Sequence, residues 1–312
     1  MKMSLFFNDG IRRPYIFVGS LHSMMIISYK EFLPSVALQP YVENYWYQVF
    51  DGDAAEDSPA QVCLPLGMVQ IIIHVYQQDC RVLVDGNWQK LPDAFFVGIY
   101  KDAVTWRTKG CSVCFGVNLK PEIFARLFNV PAAALFNDYT DIGNLMNAGI
   151  TEMAERMYGV TNAAELILIA ESSLLQRIGH SRQRGHYLDQ AASIIRESKG
   201  NISIESLCKD LYVSERQLQR SFRDVLGTSP KTYTRIIRFR NVYRHVRHSA
   251  EKKISWASLS YDYGYADQAH FIRDFKEFSG VNPTLIEKNG AFYQLSTSIY
   301  SNKYTTTSSI TE

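Results

Sequence analysis

From Ser203 to Pro283 the apolar positions follow one pattern written twice. The first copy reads S-I-E-S-L-C-K-D-L-Y-V-S-E-R-Q-L-Q-R-S-F-R-D-V-L-G-T-S-P from Ser203 to Pro230, and the second runs from Ile254 to Pro283. Leu207 and Val213 recur as Leu259 and Tyr265, an offset of 52. Leu218, Arg220, Phe222, Gly227 and Pro230 recur as Phe271, Arg273, Phe275, Gly280 and Pro283, an offset of 53. One extra residue is therefore expected where the two helices of the second copy meet. A repeat of this kind is first a statement about architecture, here two helix-turn-helix units side by side. Ser203, Ser214 and Asp267 are the expected helix N-caps. Ile204, Leu207, Cys208 and Leu211 form the inner face of the first helix, Val213 wedges in the turn, and Leu218, Ser221, Phe222 and Val225 face inward from the second. Between the copies, Lys231 to His248 keeps a helical period, with Tyr233, Ile237, Val242 and Val246 toward a core. A helix of that length spans roughly 27 Å, near the 34 Å or so of one duplex turn.

Upstream the period is different. From Pro40 to about Lys120 the chain is strand-like: Val69 to Val75 is a β-branched run, with shorter pieces at Cys80–Val84, Phe95–Val97 and Cys111–Val117. Asp85-Gly86-Asn87 marks a turn. These pieces predict a small β-rich, barrel-like body. At Pro121 the period becomes helical, with Ile123, Phe124 and Leu127 on one face, then further helices over 140–158 and Asn162–Ile178. The expected fold is α+β. Residues 1–30 form an N-terminal extension, and 31–178 a β-rich sensory or dimerisation domain with a helical extension. A basic linker follows at 179–188. An all-α domain at 189–290 holds two helix-turn-helix units joined by a long helix, and 295–312 is a Ser/Thr-rich disordered tail. Met24 and Met25 precede the first domain-like sequence, and one hypothesis places the translation start there, with residues 1–23 as an upstream extension.

Net charge is only +2 over 312 residues, but its distribution is uneven. Residues 190–290 hold 17 Lys/Arg against 11 Asp/Glu, while residues 1–189 hold 15 against 19. A basic last third on a mildly acidic remainder fits a nucleic-acid module joined to something else. No run of about 18 apolar residues is present, and the apolar stretch Tyr15–Ser28 is broken by Ser20, His22 and Ser23, so neither a membrane span nor a secretory signal is expected. Five scattered cysteines suit a reducing cytoplasm.

The outer face of each second helix carries the chemistry. Arg and Gln pair bidentately with guanine and adenine edges in the major groove, and they cluster in the half of the helix that such units insert. Residues 190–290 resemble the DNA-binding domain of the AraC/XylS family of bacterial regulators, above all over Y-G-Y-A-D-Q-A-H-F-I-R-D-F-K-E-F-S-G-V-N-P at 263–283. The resemblance implies base reading by Arg216, Gln219 and Arg220 in the first unit and by Gln268, His270 and Arg273 in the second. Phosphate contacts are expected from Arg223, Arg235, Arg238, Arg244 and Lys276, with Arg240 and Arg247 also available on the connecting helix. Cys208 and Ser260 stand where the family commonly has Ala, and Tyr261 and Tyr263 make the second unit more aromatic than usual. The implied partner is double-stranded DNA; RNA polymerase, a second copy of the chain and a small effector are further candidates. The implied location is the cytoplasm, on the nucleoid when bound.

The first half resembles, through P-Y-V-E-N-Y-W (40–46), L-P-L-G-M-V-Q-I-I-I (64–73) and G-V-N-L-K-P-E-I-F (116–124), the sensory region of one branch of that family. Leu66-Gly67 follows Pro65 where that branch usually has Asp-Gly, so the role of the acidic residue does not transfer. Tyr45, Trp46, Tyr47 and Trp88, with His74, are candidates to line an apolar effector pocket. No metal or other cofactor is expected: His74 is the only histidine between residues 23 and 179 and lacks ligand-spaced companions. Cys111-Ser-Val-Cys114 is chemically suggestive and keeps a thiol-based redox sensor as an alternative, but residues three apart on a strand point to opposite faces. A regulator without any effector is the other alternative. An enzyme is not expected, since neither a nucleophile elbow, a phosphate loop nor a zinc-peptidase helix occurs.

Overall fold

The computed structural model describes residues 16–18, 25–145, 148–180, 187–248, 254–284 and 293–294. Ten strands come first: β1 (Ile16–Val18), β2 (Met25–Phe32), β3 (Val42–Asp51), β4 (Gln61–Cys63), β5 (Val69–His74), β6 (Asp79–Val84), β7 (Asn87–Lys90), β8 (Ala94–Val97), β9 (Val104–Lys109) and β10 (Ser112–Leu119). Helix α1 (Pro121–Phe128) and a 3-10 turn at Ala132–Leu135 lead to β11 (Tyr139–Asp141), a second 3-10 turn at Ile142–Leu145, α2 (Ala148–Met157) and α3 (Ala163–His180). The C-terminal part holds α4 (Tyr187–Glu197), α5 (Ile204–Asp210), α6 (Glu215–Leu226), α7 (Pro230–His248), α8 (Trp256–Asp262) and α9 (Gln268–Ser279), then β12 (Tyr293–Gln294).

The strands form two sheets, β1-β2-β3-β10-β5-β8-β11 and β12-β4-β9-β6-β7, antiparallel except where β12 joins β4. The expected barrel does not close. Its apolar surface is covered instead: Val69, Ile71, Phe115 and Val117 of the first sheet share one core with Phe124 and Phe128 of α1, Met153 of α2 and Leu166 of α3. Sheet closure is unnecessary once helices bury that face. A buried polar ladder crosses the same sheet: Gln70 donates to Asn118 at 2.6 Å, Asn118 to Asn44 at 2.6 Å, and Asn44 to Glu31 at 2.7 Å. The ladder helps fix the register between β5, β10 and β3.

Two boundaries differ from expectation. Strand β2 pairs β3 from Ile26↔Asp51 to Phe32↔Tyr45, so the β-rich domain recruits residues ahead of 31. Helix α3 runs to His180 and α4 starts at Tyr187, which leaves 181–186, outside the described residues, in place of a 179–188 linker. The stretch 140–158 contains β11 and a 3-10 turn before its helix. The tail from 295 also lies outside the described residues.

The doubled unit folds as the offsets require. α5 and α8 are both seven residues and lie 52 apart, while α6 and α9 are both twelve residues and lie 53 apart. The extra residue thus sits in the turn between α8 and α9. Ser203, Ser214 and Asp267 cap their helices, Ser214 as a full capping box with Gln217, and Gly227 and Gly280 close α6 and α9 in the left-handed conformation. Tyr233, Ile236, Ile237, Phe239, Val242 and Tyr243 of α7 are fully buried between the two units.

Candidate nucleic-acid interface and effector cavity

Helix α6 buries Leu218, Phe222 and Leu226 and leaves Arg216, Gln219, Arg220 and Arg223 exposed along its opposite side. The apolar stripe at a 3.6 period fixes which side chains must point outward. Glu215 accepts from Gln219 Nε2 at 2.8 Å, which steadies that amide. On α9, Phe271, Phe275 and Phe278 turn inward, and Gln268, Arg273 and Lys276 are exposed. His270 is only half-exposed: its Nε2 lies 3.8 Å from Asp274 Oδ1 and its ring meets the Tyr265 ring edge-on. Of the expected base readers, the second unit therefore leaves two open to solvent where the first leaves three.

The arginines of α7 are placed differently from the sequence expectation. Arg235 forks onto Asp274 at 2.7 Å and Glu277 at 2.5 Å, because both carboxylates stand on the turn of α9 that faces α7. Arg238 donates to the carbonyl of Gly200 from Nε at 2.9 Å and from Nη2 at 2.8 Å. Arg244 approaches Glu43 at 4.0 Å, and Arg240 is 3% exposed. These guanidiniums hold the protein together; of the expected phosphate contacts, Arg223 and Lys276 stand open to solvent. The Arg247 side chain lies outside the described residues.

In the β-rich domain a cavity of about 120 Å³ lies between the two sheets. Trp46 and His74 line it, together with Gln48, Leu66, Met68 and Trp106. Tyr45, Tyr47 and Trp88 do not. Neighbours on a strand face opposite ways, so Tyr45 stacks on Phe115 in the helix-covered core and Trp46 faces the other side. The Tyr47 hydroxyl donates to Thr161 O at 2.8 Å. Trp88 sits on the edge strand β7 with the Arg107 guanidinium 4.2 Å over its ring. Gly116 pairs with Trp46 across the sheet, and a Cβ there would fall 1.9 Å from the indole, so the Trp46 ring requires glycine opposite it. Burial brings the His74 imidazole down to about 4, so it is neutral at pH 7.

Comparison with known families matches residues 207–289 to a helix-turn-helix domain and residues 30–141 to a domain of unknown function (DUF6597). The first match falls on the doubled, capped units described above. Residues 207–289 are thus a DNA-binding helix-turn-helix domain of the AraC type. No curated protein matches the sequence. Among solved structures it is similar to an apo ToxT variant from Vibrio cholerae strain SCE256, at 11% identity and TM-score 0.43 over 78% of this chain and 97% of that one. It is also similar to ToxT from the same strain bound to an unsaturated fatty acid (11%, TM-score 0.39, 86% and 96%) and to the AraC-like activator CuxR (12%, TM-score 0.23, 70% and 86%).

A feature of the chain not visible in its sequence is how the two halves meet. Leu64, Leu66 and Met68, from the loop between β4 and β5, line the cavity and also belong to the core that contains Tyr233, Ile236 and Ile237 of α7. A Cβ on Gly67 (φ +66°) would stand 2.9 Å from Ile237 Cδ1, so glycine serves both the turn and the close approach. Arg240 Nη1 donates to Leu66 O at 3.2 Å, and its Nη2 lies 3.5 Å from Glu43 Oε1 on β3. Burial and Arg244 bring the Arg240 guanidinium down to about 10, with Glu43 opposing them. Burial alone would raise the Glu43 carboxyl, but Arg240 and Arg244 outweigh it and hold it below the usual range. Arg196 of α4 similarly reaches Glu122 at the start of α1, with Nη1–Oε2 at 2.9 Å, and the Tyr233 hydroxyl at 3.1 Å.

Neither thiol of the cysteine pair is shifted toward the thiolate. Burial pushes the Cys114 thiol up to about 12, and burial with the Asp51 carboxylate raises exposed Cys111. Low-pKa thiols are the reactive ones. Among the described residues, no three His, Cys, Asp or Glu side chains gather where they could hold a metal ion.

Proposed function

We propose that the chain is an AraC/XylS regulator that acts in the cytoplasm as a binding protein rather than an enzyme. It reads two successive major-groove segments with α6 and α9, and a small effector in the β-domain cavity controls it. The observation that carries the DNA reading is the doubled, capped unit whose second helix exposes Arg216, Gln219 and Arg220 in one copy and Gln268 and Arg273 in the other. Exposed Arg223 and Lys276 supply charge for phosphate, which makes affinity fall steeply with salt. Effector control is supported by the shared wall: a ligand that moves Leu64, Leu66 or Met68 presses directly on the packing of α7. That is one element whose position both sites can bias. Exposed Leu168 and Leu175, two turns apart on α3, favour a homodimer through that helix.

The test is selection of sites from random duplex DNA by the full chain, followed by binding titrations of the Arg220→Ala variant. Loss of preference at one base position, costing about 1–3 kcal/mol, fits a base contact. An equal loss on all sequences would make Arg220 a phosphate contact instead.

A further inference from the structure

We propose that the cavity of the β-rich domain takes an uncharged single-ring molecule carrying one hydrogen-bond acceptor. The inference rests on the reading above that the cavity is the effector site. Its walls are mostly aromatic and aliphatic, and no Asp, Glu, Lys or Arg is among the residues that line it. A charged ligand would lose its hydration there and meet no counter-ion, which an apolar site does not repay. The one ionisable imidazole, His74, is neutral at pH 7 and offers no cation to an anionic ligand.

Two donors on the lining side chains set the polar requirement. Trp46 Nε1 and Gln48 Nε2 are buried and have no hydrogen-bond partner, although Trp46 is 8% and Gln48 1% exposed. Buried donors are paired in nearly all proteins, so two orphans on the same face of β3 in one cavity ask for an acceptor from outside the chain. Gln70, the other amide in the lining, is already committed to Asn118 and does not compete for that role. Size completes the class: about 120 Å³ is close to the roughly 150 Å³ cavity that accepts benzene. The Trp46 and Trp106 rings, with Phe95 and Tyr139, offer faces and edges for one flat ring.

Three near-isosteric probes separate these terms: acetophenone (neutral, with an acceptor), ethylbenzene (neutral, without one) and benzoate (anionic). Each is titrated calorimetrically into the full chain at pH 7. Acetophenone is expected to bind at least about tenfold more tightly than ethylbenzene, the worth of one satisfied buried donor, and benzoate to give no heat of binding. Gln48→Leu and, separately, Trp46→Phe should bring the acetophenone-to-ethylbenzene ratio toward one while ethylbenzene binding persists. That persistence shows that the cavity has stayed folded. Equal binding of benzoate and acetophenone, equal binding of ethylbenzene and acetophenone, or no binding of any probe overturns the proposal. The same samples are titrated with the DNA the chain selects. If DNA is bound but none of the probes is, the ligand class falls and the DNA reading stands. If acetophenone binds as expected yet leaves DNA affinity unchanged, the ligand class stands and effector control falls.

Discussion

Replacing Glu43 by Gln should loosen the grip of the β-rich domain on α7. Glu43 lies on β3, 3.5 Å from the guanidinium of Arg240, and the two side chains are 20% and 3% exposed. At that distance, and with an effective dielectric constant near 20, the attraction is about 5 kcal/mol before desolvation is counted. Removing one partner of such a pair costs about 3–5 kcal/mol, because the remaining charge stays buried. Gln keeps an acceptor and Glu43 is partly wet, so about 3 kcal/mol is the expected loss at pH 7. Spread over a chain of this size, that lowers the melting temperature by about 5 °C in scanning calorimetry. Glu43→Gln with Arg240→Met should recover most of the loss, less about 1 kcal/mol for the Leu66 carbonyl left without its donor. The pH dependence has a definite sign. The Glu43 carboxyl is lowered in the folded chain, so its contribution is complete above its ordinary value of 4.5 and disappears as pH falls through the lowered one. Wild type and Glu43→Gln should therefore converge in strong acid. A shift under about 1 °C at neutral pH, or a double variant no more stable than Glu43→Gln alone, would refute the reasoning.

His74 also loses stability in acid, but because its charged form is excluded from the fold rather than paired in it. Its folded value of about 4 lies below the ordinary 6.5, so below pH 6.5 only the unfolded chain takes up the proton. Stability should fall by about 3 kcal/mol between pH 6.5 and 4, and His74→Gln should flatten that slope in urea titrations. Tyr212 occupies the left-handed region (φ 53°) with its side chain 97% exposed, at the repeat position where the second unit has Gly264 (φ +70°). Tyr212→Gly should thus raise stability by about 0.5 kcal/mol or more, read as a higher urea midpoint; a lower midpoint would show that the Tyr212 ring makes a stabilising contact. Arg223→Ala should reduce the salt slope of DNA binding by about one unit without affecting melting. Arg235→Ala should chiefly lower the melting temperature, since its guanidinium is held by Asp274 and Glu277.

The DNA-binding part was legible because the sequence contains its own control. Two copies share apolar positions, caps and closing glycines, and a single change of offset places the extra residue in one turn. The face of each recognition helix follows from its stripe. What residue type cannot tell is which arginines of α7 point outward. Arg240 is buried because Glu43, far upstream, reaches it, and nothing local to α7 signals that. The β-rich domain was legible mainly in its continuous apolar strands. β7 (Asn87–Lys90), an edge strand, and β9 (Val104–Lys109), the middle strand of the five-stranded sheet, mix charged and aromatic residues, so neither reads as a continuous apolar run. Tyr45 and Trp46 were equal candidates for the pocket in the sequence, yet the strand allows only one of two neighbours to face it. The cavity wall at Leu64–Met68 was visible only as a segment of family resemblance; its contact with α7 depends on tertiary packing.

The central claim is that one chain reads two different half-sites with two different helices. It is tested most directly by repeating DNA selection with variants of each helix. The account predicts an asymmetric site with two conserved segments about 10 base pairs apart. Changes at Arg216, Gln219 and Arg220 should alter only one segment, and changes at Gln268 and Arg273 only the other. A site with a single conserved segment, or one in which both sets of variants disturb the same bases, would contradict it.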